Sequence, residues 1–152
     1  MVRSLFQIET LISAFQIATP LILAALGGSI CYKAGVFNIA LEGFLLIGSF
    51  VAVIVASTFT NAWLGVIAAV IAVGILSLIF GFFTLTLKAD EIITGLGINM
   101  FALGFTTWAL ADVLDSPGSF IDPRIPGLPR IDIPLLIEIP LIGDILSRQN
   151  LI

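Results

Sequence analysis

Histidine is absent from this 152-residue chain, and cysteine occurs once. Without histidine, neither a His-based catalytic triad nor a His-bearing zinc site can be assembled from these residues. The single Cys31 excludes an intramolecular disulfide; it sits in an apolar run, where packing outweighs a redox or metal role. Charge is scarce too: Asp, Glu, Lys and Arg make up 11% of the chain, against about a quarter in an ordinary soluble protein. With a net charge of −4 and no basic cluster, there is nothing to hold a nucleic-acid backbone. Phosphate loops (G-x-x-x-x-G-K-S/T), H-E-x-x-H, C-x-x-C and G-x-S-x-G are all missing. The pair Gly95-x-Gly97 lacks the preceding strand and third glycine of a dinucleotide site. No catalytic residue, cofactor or metal ligand is assigned.

What the chain has is hydrophobicity, with 59% apolar residues and a mean hydropathy of +1.21. It reads as an all-α integral membrane protein of about four transmembrane helices. The second helix is expected to be broken, and a Pro-rich external loop to follow the fourth. Spans are expected at 10–32, 36–59, 62–87 and 92–111, which makes 1–111 the transmembrane region and 112–152 the loop. Glu9 interrupts the apolar run that a cleavable signal peptide would need, so the first span is expected to stay. Pro20 falls mid-span and should kink it, with neighbouring helices satisfying the freed backbone groups. Gln16 and Thr19, three apart, suit hydrogen bonds across a helix interface better than a substrate contact.

A short polar turn at Ser57–Asn61 separates the second and third spans. Lys88-Ala89-Asp90-Glu91 separates the third and fourth. Asp90 is placed to cap a helix starting at Glu91, a structural reading that outweighs a functional acid pair. Beyond Asp112 six of the seven prolines crowd together, which forbids a regular helix. Within that loop, Ile139 to Leu146 suits a short amphipathic piece on the membrane surface. Lys33 and Lys88 mark the first and third junctions as cytoplasmic, which puts the N-terminus and the Pro-rich loop outside. Arg3 opposes this orientation, and Arg124, Arg130 and Arg148 sit in a longer segment dominated by acids.

The rest is organised around Ala34-Gly35-Val36-Phe37-Asn38-Ile39-Ala40-Leu41-Glu42-Gly43. It places a carboxylate where a span should have none, at a cost of roughly 2.5–3.5 kcal/mol near the bilayer centre. Asn38 and Glu42 are four apart, hence on one face if the segment is helical. Gly35 and Gly43 bracket them, letting a helix break or meet a neighbour closely. Two readings of Glu42 stand side by side. In one it lines a polar path, orienting Asn38 or a solute. In the other it caps a broken helix end or pairs with Gln16 or Asn99. Asn99 lies inside the fourth span with Thr106 on the same face, where an interhelical hydrogen bond outweighs a ligand contact.

Three blocks carry a resemblance. They are Ala18-Thr19-Pro20-Leu21-Ile22-Leu23-Ala24-Ala25-Leu26-Gly27-Gly28, the Lys33–Gly43 block, and Ala89-Asp90-Glu91-Ile92-Ile93-Thr94-Gly95-Leu96-Gly97-Ile98-Asn99. Together they resemble an ABC importer permease of the branched-chain-amino-acid type, in its simple-sugar and nucleoside branch. Ile125-Pro126-Gly127-Leu128 and Ile139-Pro140-Leu141-Ile142-Gly143 fit that branch's external loop.

The resemblance implies a multi-pass subunit of the bacterial or archaeal cytoplasmic membrane, forming the path for nucleosides or simple sugars. It is not an enzyme; ATP hydrolysis falls to a partner. The implied partners are a second permease subunit, a cytoplasmic ATPase subunit and an extracytoplasmic solute-binding lipoprotein, all in a lipid bilayer. Asn38, Glu42, Gly43 and Asn99 are then expected along the substrate path or its hinge. Such permeases are longer, and their second half docks on the ATPase. The chain resembles their N-terminal half, with a further span expected after Ile152. Two rivals stay open: a proton-coupled secondary transporter with Glu42 as carrier, and a non-transporting membrane scaffold.

Overall fold

The computed structural model describes residues 8–116 together with Gly118, Phe120, Pro123 and Ile125. Every regular element among these residues is helical. Helix α1 is Ile8–Lys33, α2 is Leu41–Phe59, α3 is Ala62–Gly81 and α4 is Glu91–Trp108. Helices α3 and α4 each run on into a wider π-helical turn, Phe82–Thr86 and Ala109–Val113. With those turns included, all four are long and apolar enough to cross a bilayer. The architecture is that of an all-α, multi-pass membrane protein. Of the Pro-rich segment expected as an external loop at 112–152, residues 112–116 and the four named are described, and the π-helical turn carries the helical backbone to Val113. The rest of that segment lies outside the described residues.

The chain divides into two units, Met1–Ala25 with Gly127–Ile152, and Leu26–Pro126. The described part of the first is the helical stretch 8–25. Pro20 sits inside α1 without ending it. The Thr19 hydroxyl donates to the Phe15 carbonyl at 2.8 Å, closing on its own helix.

The second unit is built around α2, which packs against both α3 and α4. Ser57 and Thr58 still belong to α2, and their hydroxyls each donate to the Ile54 carbonyl at 2.8 Å. The turn itself is only Thr60 and Asn61. Thr60 takes a left-handed φ of 49° and returns its N–H to the Ala56 carbonyl. Asn61 then caps α3 by accepting the Trp63 N–H at 3.0 Å. The two helices meet backbone to backbone at Gly65, where an added Cβ would lie 2.5 Å from the Ala52 carbonyl oxygen.

Asp90 caps α4 as its position predicts, one carboxylate oxygen accepting the N–H groups of Ile92 at 2.9 Å and Ile93 at 3.0 Å. Helix α4 then buries Gly95, Ile98, Ala102 and Thr106, one stripe at helical spacing. Phe50 on α2 meets Phe105 on α4 edge to face, their centroids 5.9 Å apart. The core centres on Ala40, Phe80 and Ile98, with Val36, Phe44 and Leu76 packed around them. Phe44 and Phe80 meet edge-on at 6.4 Å. Val36 and Ala40 belong to no helix. They are part of the link between α1 and α2, so the core is built directly against that link.

Candidate functional site in the link between the first two helices

Helix α1 stops because Gly35 takes a φ of +85°, a left-handed conformation that a side chain would strain. The Gly35 N–H bonds the Tyr32 carbonyl and the Val36 N–H bonds the Cys31 carbonyl, both at 3.0 Å. This pair of reversed bonds is a Schellman close, and it satisfies carbonyls that the ending helix leaves open. From Leu41 to Phe59 helix α2 is continuous. The irregular backbone therefore lies before it, at residues 34–40.

The link joins two spans, Ser13–Lys33 and Leu41–Phe59, and its irregular backbone leaves polar groups that no helix satisfies. Here side chains satisfy several of them. The Asn38 Oδ1 accepts the Ala40 N–H at 2.9 Å, a local turn that sets up the start of α2. The Asn38 Nδ2 reaches back to the Cys31 sulfur at 3.8 Å. Asn99, on α4, bonds both the link and the first turn of α2. Its Nδ2 donates to the Ile39 carbonyl at 3.0 Å, and its Oδ1 accepts the Gly43 N–H at 2.8 Å. The Glu91 Oε2 accepts the N–H of Phe37.

This approach is possible only because two contact points carry no side chain. A Cβ on Gly43 would stand 2.8 Å from the Asn99 Oδ1 and 3.1 Å from its Cα. One on Gly95 would stand 3.1 Å from the Ala40 nitrogen and 3.2 Å from the Ile39 Cβ.

The four residues singled out in the sequence thus part into two roles. Asn38 and Asn99 both bond the link, at Ala40 and Ile39, and Asn99 also bonds Gly43 in the first turn of α2. Glu42 does not join them: it sits exposed in the first turn of α2, with no hydrogen bond or ion pair among the described residues. Asn38 precedes the helix, so the two do not share a helical face. Nor does Glu42 pair with Asn99, whose amide is committed to Ile39 and Gly43.

Thr106 is buried, but its hydroxyl donates to the Ala102 carbonyl at 2.7 Å and so belongs to α4 itself. Beside the link opens a cleft of about 480 Å³, lined by Cys31, Ala34, Val36, Phe80 and Thr84 among others. None of Asn38, Glu42 or Asn99 lines it. Glu91 and Gly95 are the two contact residues that sequence reasoning missed. Their signal was the four-residue spacing Glu91, Gly95, Asn99, which puts all three on one face of α4.

Residues 10–126 match the family described as the branched-chain amino acid transport system permease component. The chain is similar to the guanosine ABC transporter permease protein NupQ of Bacillus subtilis, 38% identical over 131 residues, 78% of this chain and 40% of that protein. It is also similar to the putative glucose ABC transporter permease protein TsgC13 of Haloferax volcanii, 29% identical over 139 residues, 89% of this chain and 40% of that one. A third relative is the nucleoside ABC transporter permease protein NupC of Lactococcus lactis, 28% identical over 139 residues, 88% of this chain and 43% of its own length. The chain therefore spans about two-fifths of the length of the curated relatives it matches. No solved structure matches it.

Proposed function

We propose, because this chain belongs to the family of branched-chain amino acid transport system permease components, that it forms part of the translocation path of an ATP-driven importer for nucleosides or simple sugars. The observation that carries this reading is the family match across α1 to α4. The solute class follows the relatives, whose names give guanosine, glucose and nucleosides. The chain contributes no covalent chemistry. A cytoplasmic ATPase subunit drives the cycle, a second permease subunit completes the path, and an extracytoplasmic solute-binding lipoprotein delivers the solute. The assembly sits in the cytoplasmic membrane, with the Pro-rich segment on the outer side, where the lipoprotein docks.

Within this reading the link before α2 is the polar feature of the path. Asn38 and Asn99 hold its backbone, and Gly43 lets α4 approach. Glu42 is left with its carboxylate unengaged. An unpaired carboxylate facing lipid is costly, so ionisable residues in spans face a water-filled cavity or the bundle interior. Glu42 supplies hydrogen-bond acceptors there for the hydroxyl or N–H groups of a passing nucleoside or sugar.

The test is uptake of labelled guanosine by cells carrying the complete transporter. The expected result is uptake that stops on ATP depletion and survives collapse of the proton gradient. The reverse pattern would make Glu42 a proton carrier and remove the ATPase from the account.

A further inference from the structure

A carboxylate in the first turn of a helix ordinarily serves its own helix end or faces water. At the start of α4 that work is already done. Asp90 accepts the N–H groups of Ile92 and Ile93. Glu91, the next residue, leaves its helix. Its Oε2 accepts the N–H of Phe37, 54 positions earlier in the chain. That N–H lies just beyond the Schellman close of α1 and before the first turn of α2, in neither helix.

One turn further along α4, Gly95 lies against the Ala40 nitrogen and Ile39. One turn beyond that, Asn99 holds the Ile39 carbonyl and the Gly43 N–H. Three successive turns of one α4 face therefore meet the chain in order, the link at Phe37 and at Ile39–Ala40 and the first turn of α2 at Gly43. Glu91 is the anchor at the beginning, and its half-buried side chain is the one charged group in the row. The turn from α3 to α4, with Lys88 at a left-handed φ of 53°, ends beside it.

We infer that Glu91 is a positioning residue. It ties the start of the link to the start of α4, so that the link and the first turns of α4 shift as one body. A displacement of the α3–α4 turn is then delivered to Asn38, Glu42 and Gly43 and is not absorbed by slack backbone. Glu91 acts through the Phe37 amide and touches no solute. The inference stands on the bonding geometry and is independent of the transport reading.

Residue-resolved amide exchange on the full chain in lipid nanodiscs tests it. In the unaltered protein the amides of Phe37 and Gly43, both hydrogen-bonded, are expected to be protected. Glu91→Leu removes the acceptor, and both amides are expected to exchange faster, by roughly tenfold or more for a lost charge-assisted bond. The Gly43 amide is the informative one, since its own acceptor, Asn99, is untouched. Glu91→Gln keeps a side-chain carbonyl in place and is expected to retain the protection. If the leucine variant does not reach the membrane, Glu91→Asp, one methylene short, is read by the same two amides. Unchanged protection at Phe37 would overturn the inference. So would loss at Phe37 with Gly43 unmoved, which would mean two independent contacts. A glutamine variant as unprotected as the leucine one would also overturn it, because acceptance of the bond would then not be the cause.

Discussion

At Asn99 one side-chain amide works in both directions, donating to the Ile39 carbonyl and accepting the Gly43 N–H. A buried polar group left without its partner costs about 1–3 kcal/mol. Asn99→Leu, similar in size but without the amide, is therefore expected to lower the stability of the protein by about 1–3 kcal/mol in detergent unfolding. Asn99→Asp keeps the acceptor for Gly43 but turns a carboxylate oxygen toward the Ile39 carbonyl, acceptor against acceptor, so it is expected to cost at least as much as leucine. Leucine at this position with unchanged stability would mean that the clamp carries no weight. Gly43 presents the same contact from the other side. Gly43→Ala pushes a methyl group against a backbone Cα as well as a side-chain oxygen. Overpacking of that kind costs about 1–3 kcal/mol, because the backbone of α4 cannot turn aside as a side chain would. The same unfolding measurement checks it.

At the scale of elements, the end of α1 and the start of α4 are set by local chemistry. Gly35 has open space where a Cβ would go, so Gly35→Ala meets no clash. Its cost is backbone strain alone, about 1–2 kcal/mol for a side chain at positive φ, read as a drop in thermal stability. Much of this level was legible in the residues. Four long uncharged runs gave four helices, and Asp90 announced its cap. The Gly35 and Gly43 pair marked irregular backbone between Lys33 and Phe44. What the residues did not reveal was its form. A period of four between Asn38 and Glu42 suggested one helical face, yet the chain is not helical until Leu41. That outcome depends on bonds from Asn99 and Glu91, which lie 56 to 60 and 54 positions away in sequence. No local pattern encodes a partner at that distance. The polar turn drawn at Ser57 came later, at Thr60, because both hydroxyls fold back onto the Ile54 carbonyl and leave α2 intact.

At the scale of the whole molecule, the outer faces of the helices are apolar, with residues such as Leu78, Ile93 and Met100 largely exposed on the isolated chain. Lipid or further protein can cover such faces without cost. Glu42 is an acidic residue among them; like Lys33 and Lys88, it is charged, exposed and unengaged among the described residues. The family places this chain in a permease, and a permease needs one face of its bundle open to water. The central proposal is that Glu42 stands on that face.

The most direct test is labelling by a membrane-impermeant thiol reagent. The variant is Glu42→Cys in a Cys31→Ala background, in membranes holding the complete transporter. The account predicts that position 42 is labelled and that a transported nucleoside slows the labelling. Position 42 left unlabelled, while an exposed turn position on the same side such as Lys88→Cys reacts, would place the residue against lipid or protein and contradict the account.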